Sequence, residues 1–177
     1  MSESNLITQR NRYDKTGECI QSGLGAEQIF DQIAESKNLE VKNARRRENI
    51  HKHIDKYVTQ ESKTWSVDIK ARKKTSRSDS DAQDEWIWIE FQNVRGNLGW
   101  LYGEADNIAF ETQDSFVIVD RKSLIDYVEN AVDMAKPVRK SYLAKYKTYQ
   151  RAGRNDLLTM VELSKIIENC KHFVWQK

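Results

Sequence analysis

The stretch W-I-W-I-E-F-Q-N-V, residues 86–94, constrains this chain more than any other. Aromatic and β-branched residues fill it, and such residues favour a pleated, half-buried strand. Alternation puts Trp86, Trp88, Glu90 and Gln92 on one face, and Ile87, Ile89, Phe91 and Asn93 on the other. A chain with this strand near its middle must build a sheet and cover it. Further strands are predicted over 51–58, 65–72, 105–111 and 116–119. A polar, exposed loop fills 73–85, and R-G-N-L-G makes a turn.

Helical spacing appears first at Ala26, Ile29, Phe30, Ile33 and Ala34, which predicts a helix over 25–37 ended by Asn38. Ser123 is placed to cap a second helix over 124–136, which Pro137 stops or kinks. Two more helices are predicted over 142–150 and 157–170. The order of helix, strands and then helices predicts an α/β domain with a mixed central sheet. Residues 1–22 read as a polar arm, 23–136 as the core, and 137–177 as a basic helical C-terminal extension packed on it.

At 177 residues, with five Trp, the chain can bury a real core. Its net charge of +2 conceals local imbalance. Residues 136–154 hold seven Lys or Arg and no acid, and Lys70 to Arg77 form another basic run. Such runs are either ordinary solvated faces or a surface for phosphate. Cys19 and Cys170 have no metal or redox spacing and read as free thiols in a reducing compartment. No apolar run approaches the roughly 20 residues that cross a membrane. The N-terminus lacks a signal-peptide core. These features predict an intracellular, cytoplasmic protein with no membrane partner. The chain has no phosphate-binding G-x-x-x-x-G-K-[ST] loop and no nucleophile elbow. His51 and His53 lack further ligands at zinc spacing.

Asp68 and Lys70 lie two apart in a predicted strand and so share a face. They are either a salt-bridged solvated patch or part of a metal and phosphate site. A metal-dependent phosphodiesterase needs converging carboxylates for Mg²⁺, which prefers hard oxygen ligands, and a cation near the water or phosphate. Asp55 lies thirteen residues before Asp68, and Glu27 lies on the first helix. Similar acid-x-Lys triplets occur at Glu35-Ser36-Lys37, Glu61-Ser62-Lys63 and Asp120-Arg121-Lys122. The last is the strongest rival, because Asp106 precedes Asp120 by fourteen residues, although Asp120 equally suits a helix cap. Glu90 and Gln92 would border the Asp68 site if their strands are neighbours. The glycine- and aromatic-rich segment 96–106 is either a binding loop or a hairpin packed on the core.

Glu27 on a helix, then Asp55, then Asp68-Ile69-Lys70 on a strand resembles the PD-(D/E)XK nuclease superfamily. This restriction-endonuclease-like fold is also used by Holliday-junction resolvases and phage recombination nucleases. The resemblance covers residues 23–127. It implies an αβββαβ core and Mg²⁺-dependent cleavage of DNA, with Mn²⁺ as a substitute. By position, Asp55 and Asp68 would hold the metal, Glu27 would be the helical acid and Lys70 would position the nucleophile. Ile54 stands where the motif has Pro, and strands fill 86–119 where the family places a helix. DNA backbone contacts are expected from Arg72, Lys73, Lys74, Arg77, Lys140, Lys145, Lys147 and Arg151, and many related nucleases act as homodimers. The competing expectation is an inert nucleic-acid-binding or protein-interaction module on the same fold.

Overall fold

The computed structural model describes residues 17–177, so most of the expected polar arm lies outside the described residues. The first helix, α1 (Glu18–Ser36), begins well before the predicted residue 25. Ala26, Phe30, Ile33 and Ala34 form its buried stripe. Asn38 ends the helix in the left-handed conformation (φ 60°), which Asn tolerates better than most residues.

Two mixed sheets follow. The larger orders its strands as β1 (Glu40–Asn43), β2 (Lys56–Gln60), β3 (Lys63–Lys70), β5 (Asn107–Glu111), β6 (Ser115–Asp120) and β10 (His172–Gln176). All its neighbours are antiparallel except β3 and β5. The smaller orders β4 (Trp86–Gln92), β9 (Leu157–Glu162), β8 (Lys147–Tyr149) and β7 (Asp133–Val138). Three further helices are α2 (Arg46–Lys52), α3 (Arg121–Ala131) and α4 (Leu163–Asn169).

The period-2 pattern of β5 and β6 separates two cores. Ala109, Phe116 and Ile118 face α1 and join Phe30, Val58, Val67 and Trp175. Phe30 and Phe116 meet edge to face at 5.4 Å. Ile108, Phe110, Val117 and Val119 face the other way. They pack on Ile89, Phe91 and Val161 of the second sheet and on Leu124, Val128 and Ile166 of α3 and α4. Each such side chain, fully buried, contributes about 1.5–3 kcal/mol of apolar transfer free energy. The larger sheet is therefore a middle layer, with α1 on one face and the second sheet with α3 and α4 on the other.

Several sequence expectations are overturned. The predicted helical C-terminal extension holds more strand than helix: 142–150 forms a single 3-10 turn and β8, and 157–170 splits into β9 and α4. The strand β10 then returns to the larger sheet beside β6. The helix predicted over 124–136 ends at Ala131, and Pro137 lies in β7. That strand is an edge of its sheet, where a missing N–H is tolerated. The cap of α3 is Asp120, whose carboxylate accepts from the Ser123 N–H at 2.8 Å. The strand predicted over 51–58 begins only at Lys56; His51 and Lys52 end α2, and His53 turns the chain with φ 53°.

Candidate functional site

The site forms where β2 stops short. β2 pairs with β3 from Gln60 back to Lys56, opposite Val67. One more backbone bond follows, from Asp55 N–H to the Val67 carbonyl at 2.9 Å. The left-handed turn at His53 then carries the chain away from the sheet. The last residues of β3 keep a strand neighbour on one side only, where Asp68 pairs with Ile108 and Lys70 with Phe110 of β5. On the open side the Asp55 carboxylate replaces the missing strand, accepting the Ile69 N–H at 2.7 Å. Its other oxygen accepts from the Asn49 side chain of α2 at 2.5 Å. Two fixed donors thus hold Asp55 at the sheet gap.

Asp68 sits inside that gap, 2 % exposed. One carboxylate oxygen accepts from Lys70 at 2.7 Å, and Oδ2 is buried with no hydrogen-bond partner. A buried polar atom without a partner costs free energy unless something else occupies its lone pairs. Burial drives the Asp68 pKa up to about 8; Lys70 opposes this shift and Asp55 adds to it. Burial thus outweighs the 2.7 Å ion pair. Lys70 also lies 5.0 Å from the Trp100 ring centroid, so its stem and head are held between an acid and an aromatic face.

Glu27 reaches the same place from α1. An open cleft of about 380 Å³ is lined by Glu27, Asn49, His53, Asp55, Asp68 and Lys70, together with Cys19 and the first turns of α1. Burial raises the Glu27 pKa, and the neighbouring Asp55 raises it further. Lys56, 4 % exposed, lies 3.3 Å from Glu27 and 2.9 Å from Asp31, and also donates to Asn43 at 2.6 Å. Burial lowers the His53 pKa, with Lys70 adding to the effect. The cleft therefore holds three carboxylates and one ammonium. Among the described residues, no three His, Cys, Asp or Glu side chains form a ready-made metal cage. Lys70 and Lys56 instead take up oxygens of Asp68 and Glu27.

The remaining sequence candidates separate by position. Asp106 is a structural tie, accepting from the N–H and hydroxyl of Ser66 at 2.8 and 2.9 Å. Asp120 caps α3, so the rival pair builds no shared site. Glu61 occupies the β2–β3 turn with φ 55°. Glu90 lies in the second sheet, not on a strand beside β3. Burial raises its pKa, and the charge of Lys70 is the largest effect opposing that rise. Gln92 donates instead to the Asn155 carbonyl. Arg72 is engaged by Asp84 at 2.6 Å, and Arg151 by the buried Asp156. Lys73, Lys74, Arg77, Lys140, Lys145 and Lys147 are exposed. Trp100 is buried against Phe110 at 6.0 Å and belongs to the core. Asn49 and His53 carried no signal in the sequence, because the short α2 and its left-handed exit have no apolar period.

No family model, curated protein or solved structure matches this chain. No helix among the described residues is long and apolar enough to cross a membrane.

Proposed function

We propose that this chain is a Mg²⁺-dependent DNA nuclease of the restriction-endonuclease-like kind. The observation that carries the reading is the orphaned oxygen of Asp68, buried in a cleft that Asp55, Glu27 and Lys70 also line. The donor set consists of hard carboxylate oxygens, which suits magnesium. Asp55 and Asp68 would hold the ion, with Glu27 completing or orienting the site. When bound, it supplies Lewis acidity toward a phosphate oxygen and lowers the pKa of water. Asn49 and the Ile69 N–H keep Asp55 from rotating out of the cleft. Lys70, already within hydrogen-bond reach of Asp68, positions the attacking water and offsets charge on the scissile phosphate.

A second reading has its own support. Lys70 and Lys56 engage Asp68 and Glu27 without any ion, as expected of an inert binding module on this fold. Incubation with duplex, branched and single-stranded DNA in Mg²⁺ or Mn²⁺ separates the two. The nuclease reading predicts cleavage by wild type, reduced at least about a hundredfold in Asp68→Asn and in Lys70→Ala. DNA binding without any cleavage by wild type would select the inert module. Undiminished cleavage by folded Asp68→Asn would overturn the site.

A further inference from the structure

We infer that the outer face of the second sheet binds a single-stranded stretch of DNA and leads it toward the acidic cleft; the destination rests on the nuclease reading, the binding chemistry does not. On β4, Ile87, Ile89 and Phe91 point into the core, so Trp86, Trp88 and Glu90 point away from it. Both tryptophans remain half-buried on this outer side. Tyr149 of β8 stands 5.9 Å from Trp88, centroid to centroid. The Lys145 ammonium lies 4.1 Å from the centre of the Trp86 ring. Lys147 is exposed and shares the Tyr149 face of β8 by alternation. The arginines of this region are engaged in the Arg72–Asp84 and Arg151–Asp156 pairs, whereas Lys145 and Lys147 stand outside them.

This combination fits a single strand. Aromatic faces stack on any base once it is unstacked, and lysines beside them meet the phosphates. A duplex hides its base faces and offers only its backbone. Two acids share the face. Glu162, opposite Trp86 in register, accepts from the Tyr146 hydroxyl at 3.2 Å. Glu90 stands at the far end, with Lys70 the main cation acting on it. The run from Trp86 to Glu90 spans about 13 Å of strand, room for roughly two bases, and at its end the charge of Lys70, which pairs with Asp68, acts on Glu90.

The test is fluorescence anisotropy of labelled ten-nucleotide oligo(dT) and of a blunt twenty-base-pair duplex, both in EDTA. Variants are Trp88→Ala, Trp88→Phe and the surface double variant Lys145→Ala/Lys147→Ala. Trp88→Ala should weaken oligo(dT) binding at least about tenfold with little change for duplex, and Trp88→Phe should restore most of it. The double lysine variant should flatten the slope of log K against log salt by about 1.4, two phosphates' worth. Oligo(dT) binding that is absent in wild type, or unchanged in both Trp88→Ala and the lysine variant, overturns the proposal. If oligo(dT) binding follows the pattern above but no DNA is cut, the nuclease reading fails and this surface stands. If DNA is cut while Trp88→Ala binds and cuts as wild type, the surface fails and the nuclease reading stands.

Discussion

Asp68 is held where a carboxylate is least stable as an anion, and this gives the free protein a definite pH dependence. Its folded pKa is about 8, against 3.8 for an ordinary aspartate. The folded chain therefore keeps a proton there that the unfolded chain has released. Stability falls as pH rises through that window, and the destabilisation is complete above the folded pKa. Asp68→Asn keeps the shape and removes the charge. In EDTA it should melt higher than wild type at pH 8.5, by about 5 °C, with the gain shrinking toward pH 5. Calorimetry at several pH values checks this, and a pH-independent difference would refute it. Lys56 makes the opposite case, a buried cation with acids on two sides. Lys56→Met should cost about 2 kcal/mol in urea unfolding, less than a fully buried pair because Glu27 and Asp31 keep some solvent contact. An unchanged midpoint would contradict the packing described for Lys56. At this scale the sequence was readable. Asp68 and Lys70 share a face because a strand alternates, and the spacing back to Asp55 matches one hairpin. The hold of Lys56 on Glu27 was not readable, since it depends on where α1 crosses β2.

Among the elements, the site depends on one strand ending early and on one glycine-rich segment packing closely. Gly99 lies against β4: a Cβ there would sit 2.3 Å from the Glu90 carbonyl oxygen and 2.8 Å from the Glu90 Cγ. Gly99→Ala should therefore push β4 away and lower stability by about 1–3 kcal/mol in urea unfolding, displacing Glu90. Gly25 is the internal control. It lies within α1 with nothing within 4 Å of its would-be Cβ, so Gly25→Ala should stabilise by about 0.5–1 kcal/mol. Equal effects from the two would show that the close approach at Gly99 is not a constraint. The strong strand at β4 and the α1 stripe were legible because long, regular periods leave little ambiguity. Residues 157–162 were read as helix because a short apolar run fits either period. Tyr142, Tyr146 and Tyr149 mimicked a helical stripe, yet Tyr142 is 66 % exposed at a 3-10 turn. Long-range pairing, of β9 with β4 and of β8 with β7 and β9, decides these segments, and no local pattern records it.

Across the molecule, two sheets divide the work that the fold supports. The larger holds Asp55 and Asp68 at its gap, and the smaller presents aromatic rings and exposed lysines on its outer face. In the proposed nuclease Glu27, Asp55 and Asp68 serve one divalent ion, even though lysines hold two of them in the free chain. Electron paramagnetic resonance of free Mn²⁺, titrated with wild type, Asp55→Asn and Asp68→Asn at pH 8.5, tests it most directly. Wild type should remove the ion signal at one site per chain, and each variant should weaken this at least about tenfold. Wild type that takes up no Mn²⁺, or variants that bind it as tightly as wild type, would contradict it.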